Sequence, residues 1–96
     1  MARTIISGPY EWDGAKARAN LRKHGVSFEE AAAALAHSNT AVFDDGNAAG
    51  RMKAVGLSWR GRILTVVFEA RGERERIVSA WKSTPQERRL LMTGGM

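Results

Sequence analysis

Residues 62–82, RILTVVFEARGERERIVSAWK, hold two β-rich runs joined by Arg71-Gly72-Glu73, and no other stretch restricts the fold as much. The segment ILTVVF is dense in β-branched residues, which suit a pleated, half-buried surface. A turn this short can only return the chain beside itself, so the two runs pair antiparallel. The pattern predicts strands over Arg62–Ala70 and Arg74–Lys82. A third strand, over Arg51–Trp59, precedes them across the Arg60-Gly61 turn. A short one, Thr40–Phe43, comes before the turn residues Asp44-Asp45-Gly46-Asn47. Either Thr4–Ile6 or Pro9–Trp12 adds a first, edge strand.

Three helices announce themselves by their ends. Asp13 can cap a helix that runs to His24, with Gly25 as the residue that turns the chain out of it. Ser27 and Glu30 have capping-box spacing and open a helix through an alanine run to Ala36. Thr84, Pro85 and Glu87 form a second box, with proline at the first helical position, for a helix to Met92. The expected class is α+β: two N-terminal helices packed on an antiparallel β-meander, with a C-terminal helix. The 96 residues suffice for one domain, 1–96, with residues 93–96 a frayed tail.

Composition narrows the chemistry. The absence of cysteine removes disulfides, thiolate metal sites and a thiol nucleophile. No apolar run reaches the roughly 18 residues that span a bilayer, and MARTIISGPYEW lacks the apolar core of a signal peptide. The expectation is a cytoplasmic protein without membrane contact. The net charge of +5, carried mostly by arginine, favours an anionic partner such as nucleic acid or an acidic protein. Two histidines and no H-E-x-x-H pattern give no metal site, and no cofactor motif occurs.

On the first helix, Lys16, Asn20 and Lys23 share one stripe, with His24 beside it and Ala17 and Leu21 expected toward the core. His24 is the side chain best suited to exchange a proton near neutral pH. It equally suits a plain C-cap, donating to the last carbonyls. Strand parity sets Arg74, Arg76, Val78 and Ala80 on one face of the last strand, and Glu75, Ile77, Ser79 and Trp81 on the other. Arg76, in mid-strand, is either a solvated outer residue or the floor of an anion site, and Arg62 can reach the same face from the rim. Trp12, Trp59 and Trp81 are core anchors or stacking platforms; the core suits each, and Trp81 is the best candidate for exposure.

Two stretches then carry a resemblance. EWDGAKARANLRKHGVSFEEA (11–31) and GLSWRGRILTVVFEARGERERIVSAW (56–81), with the closing T-x-x-E-R-R, resemble the BrnT family of type II toxins. That resemblance implies a RelE-like α+β fold and a ribonuclease that arrests translation; the expected mechanism is a metal-independent endoribonuclease cut. It implies neutralisation by a BrnA-like ribbon-helix-helix antitoxin, with operator DNA bound only through the complex. By position, Lys23 and His24 match the family's K-H-G, Arg62 the arginine before the strongest strand, and Arg76 and Ser79 the R-I-I-S run. The expected catalytic set is therefore Lys23, His24, Arg62 and Arg76, converging on one phosphodiester. Lys16, Asn20, Ser79 and Trp81 are expected to bind RNA. Three departures stand out: Trp81 in place of an arginine, Leu91 in place of a tyrosine, and a shortened segment over residues 35–49. They support a second reading, a basic module that binds RNA or an antitoxin with little or no cleavage.

Overall fold

The computed structural model describes residues 3–37, 40–44 and 50–92. In chain order the elements are β1 (Thr4–Ser7), β2 (Tyr10–Asp13), α1 (Gly14–His24), α2 (Phe28–Ala36), β3 (Ala41–Asp44), β4 (Arg51–Leu57), β5 (Ile63–Arg71), β6 (Arg74–Lys82) and α3 (Pro85–Met92). The turn expected at residues 45–47 and the tail at 93–96 lie outside the described residues.

The strands form one six-stranded sheet in the order β1-β2-β6-β5-β4-β3. It is mixed, which corrects the purely antiparallel expectation. Both N-terminal candidates become strands, and they form a hairpin ahead of the helices. That hairpin inserts beside the last strand, so Tyr10, Glu11 and Trp12 pair in parallel with Glu75, Arg76 and Ile77. A parallel neighbour requires a long crossover, and the whole chain from α1 to β5 supplies it.

The caps work as their residues dictate. Asp13 Oδ1 accepts from the backbone N–H of Ala15 and Lys16, and Gly25 leaves α1 in the left-handed region at φ 69°. Ser27 Oγ accepts from Glu30 N–H. At α3 the box is reciprocal: Thr84 N–H donates to Glu87 Oε1 at 2.9 Å, and Glu87 N–H to Thr84 Oγ1 at 3.1 Å.

The core lies between α1, α2 and one sheet face. Trp12, Val26, Phe28, Ala31, Ala34, Leu64, Val66, Ile77 and Ala80 form it, with the Trp12 and Phe28 rings edge to face. The Trp12 indole N–H is buried there without a hydrogen-bond partner among the described residues. α3 packs toward the other face, where Glu87 meets Trp81.

Two sequence expectations change here. Ile77 and Ala80 both enter the core, although strict alternation puts them on opposite faces. The register against β5 shifts between Val67 and Phe68, which pair with Ser79 and Ile77, so Val78 is the extra residue of a bulge. The bulge puts Arg76 on the same side as Ser79 and Trp81. Trp59 is the second correction: it sits in the β4–β5 turn and is 67% exposed, because β4 ends at Leu57.

Candidate active site at the end of helix α1

β2 pairs with β6 only as far as Ile77, so among the described residues the rest of that β6 edge has no strand beside it. α1 lies along the gap, and Asn20 fills it. Its Nδ2 donates to Ala80 C=O at 2.8 Å and to Val26 C=O at 3.0 Å. Its Oδ1 accepts from Ala80 N–H at 3.1 Å and Ser79 Oγ at 3.2 Å. An amide has two donors and two acceptor lone pairs, so Asn20 is saturated. It holds α1 to the sheet, with all four of its hydrogen bonds made within the protein. The polar edge beneath α1 also explains why Asn20 is buried while Leu21, expected toward the core, is 51% exposed.

With α1 seated on the edge, Lys16, Ala19, Asn20, Lys23, His24, Val78 and Ser79 line one open groove of about 190 Å³. Lys16 and Lys23 are exposed and His24 is half-buried. The Trp81 ring lies 6.1 Å from the His24 ring at 47°. Trp81 is partly exposed, its Nε1 donates to Glu87 Oε1 at 3.1 Å, and Lys53 Nζ is 5.8 Å from its ring centroid. The groove thus gathers two ammonium groups, an imidazole and a hydroxyl beside an aromatic face. Such a set can bind a phosphodiester and move a proton.

Arg62 and Arg76 do not line this groove. Arg62 crosses to the helix side. Its Nε donates to Glu30 Oε2 at 2.9 Å, and its Nη2 donates both to Glu30 Oε1 and, at 3.0 Å, to Gly25 C=O. Ser58 Oγ donates to Glu30 Oε2 at 2.7 Å, and Arg60 Nη1 lies 3.7 Å from Oε1. Glu30 is 1% exposed. The Arg62 fork holds its carboxyl below the usual range; burial pushes the other way, and Ser58 and Arg60 add to the lowering. Arg76, across the sheet, donates through Nη1 to Glu11 Oε2 at 2.5 Å. The expected convergence of four residues therefore resolves into two in the groove and two in ion pairs outside it.

Glu30 is the site-supporting residue that sequence reasoning missed. The capping box accounted for it, yet its carboxylate binds Arg62 and Ser58 rather than capping. The signal was present: Glu30 stands four residues before Ala34 and beside Ala31, on the buried stripe of α2. Among the described residues, no group of three or more His, Asp or Glu is placed to hold a metal ion, and no helix is long and apolar enough to cross a membrane.

Residues 12–87 match the family described as ribonuclease toxin, BrnT, of type II toxin-antitoxin system. The fold is similar to the crystal structure of the Brucella abortus ribonuclease toxin BrnT, with a TM-score of 0.62 and 26% sequence identity. That similarity covers 76% of this chain and 92% of the other. Comparison with curated proteins gives no significant match.

Proposed function

Because this chain belongs to the BrnT family of ribonuclease toxins of type II toxin–antitoxin systems, we propose that it is an endoribonuclease that cuts RNA at the α1 groove without a metal ion and so inhibits translation. The observation that carries this reading is the gathering of Lys16, Lys23, His24 and Ser79 beside Trp81. In such a cleavage the ribose 2′-OH attacks the adjacent phosphorus and the bond to the 5′-oxygen breaks, leaving a 2′,3′-cyclic phosphate. Lys23 and Lys16 act as point charges on the phosphoryl oxygens as their charge grows. His24 moves the proton, either from the 2′-OH or to the leaving 5′-oxygen, a contribution of about 10²–10⁴-fold. Trp81 offers a face on which a flanking base stacks. Arg62 serves by holding Gly25, and with it the end of α1. The protein acts in the cytoplasm, and its partner is a ribbon-helix-helix antitoxin that brings the pair to operator DNA.

The test uses purified protein and a structured messenger RNA. Cleavage is expected to persist in EDTA and to leave cyclic or 3′-phosphate ends. His24→Ala is expected to fold normally and lose at least about tenfold in turnover. Loss of cutting in EDTA, or a fully active His24→Ala, overturns this mechanism. A second reading, a binding module without turnover, draws on Arg62 and Arg76 being held by Glu30 and Glu11. Folded parent protein that binds RNA but never turns over supports it.

A further inference from the structure

We propose that the cleft between the β4–β5 turn, the end of β6 and α3 is a second phosphate subsite, which grips the RNA backbone outside the cleavage groove. The proposal rests on the reading of this chain as RNA-binding. The cleft has a volume of about 250 Å³ and is lined by Gly61, Arg62, Ile63, Lys82, Ser83 and Arg88. Three cations therefore face one depression, and among the described residues no carboxylate lines it.

The nearest carboxylates are already committed. Glu30 is buried behind Arg62, with Arg60 and Ser58 also on its oxygens. Glu87 turns to the Trp81 indole, the Thr84 N–H and the Thr65 hydroxyl. Among the described residues neither Lys82 nor Arg88 has an ion-pair partner. Ser83 Oγ is 2.7 Å from Thr65 Oγ1, and the two hydroxyls share a hydrogen bond. Lys82 and Arg88 thus face the cleft without a carboxylate partner among the described residues, as suits an anion with several equivalent oxygens.

Position selects RNA over other anions. Arg62 lines the cleft and also holds Gly25 C=O, one residue after His24. Groove and cleft accordingly flank one helix terminus. A strand that presents a phosphodiester to His24 continues over Gly25 into the cleft.

The test compares the parent with Lys82→Ala/Arg88→Ala, two exposed residues outside the catalytic set, after circular dichroism shows the same melting curve. Should that pair unfold, Lys82→Gln/Arg88→Gln replaces it. A fluorescent 2′-O-methyl oligoribonucleotide, which has no free 2′-OH and cannot be cut, is titrated by anisotropy across salt concentrations. The double variant is expected to bind about tenfold more weakly at low salt. Its dependence of log K on log[salt] should flatten by about 1.4, for two lost phosphate contacts at roughly 0.7 each. Unchanged affinity and slope overturn the subsite. So does a variant that loses only antitoxin affinity, which assigns the cleft to the protein partner. Since this readout needs no cleavage, a parent that binds but does not cut sinks the nuclease mechanism alone. A parent that binds no RNA sinks both.

Discussion

The side-chain amide of Asn20 stands in for a β-strand beside Ala80, accepting its N–H at 3.1 Å and donating to its C=O at 2.8 Å. One residue of α1 therefore completes the sheet edge that β2 leaves open, and the same bonds bring Lys23 and His24 over Ser79. Asn20→Leu keeps the size and orphans three backbone groups, the N–H and C=O of Ala80 and the C=O of Val26. Leaving buried polar groups unpaired costs about 1–3 kcal/mol each, and some recover water at the edge, so a loss of about 3 kcal/mol is expected. Urea unfolding measures it. A variant as stable as the parent shows that α1 is held by other contacts.

Arg76 is expected to act on stability before chemistry. Its partner Glu11 is 8% exposed, so removing either leaves the other nearly buried and unpaired. A double-mutant cycle with Arg76→Ala and Glu11→Ala should give a coupling of about 1–2 kcal/mol in urea unfolding. Zero coupling with a large drop in cleavage returns Arg76 to the catalytic set.

Acid should loosen the end of α1 through Glu30. Its folded carboxyl titrates below the unfolded value of about 4.3. Between those two values the unfolded chain binds more protons, so stability rises with pH there. The contribution is complete above the unfolded value and is lost as pH falls through the folded one. Glu87 shifts the same way: burial raises it, and its hydrogen bonds to Thr84, Trp81 and Thr65 outweigh that. Glu30→Gln is expected to cost about 2 kcal/mol at neutral pH and to flatten the fall in urea midpoint below about pH 4.3. An equally steep fall in the variant places the acid sensitivity elsewhere.

Gly56 marks where β4 and α2 meet. A Cβ there would stand 2.5 Å from Ala34 O and 2.6 Å from Thr40 Oγ1, atoms already joined by a hydrogen bond. Backbone cannot move aside cheaply, so Gly56→Ala is expected to cost about 1–3 kcal/mol. A thermal melt matching the parent shows that α2 shifts without penalty.

Local signals were enough for the elements themselves. Asp13, Ser27 and Thr84 opened the three helices, Gly25 closed the first, and ILTVVF declared one of the two longest strands, because caps, turns and β-branching act within a few residues. The stripe of Lys16, Asn20, Lys23 and His24 was also readable, since a helix turns by a fixed angle per residue. Tertiary structure decided what those side chains meet. No local rule inserts an N-terminal hairpin beside the last strand, bulges β6 at Val78, or makes Asn20 the partner of a bare strand edge. Nor does local sequence say that Glu30 claims Arg62 and Glu11 claims Arg76. A charge takes the opposite charge that folding brings near, and these pairs lie 32 and 65 residues apart along the chain.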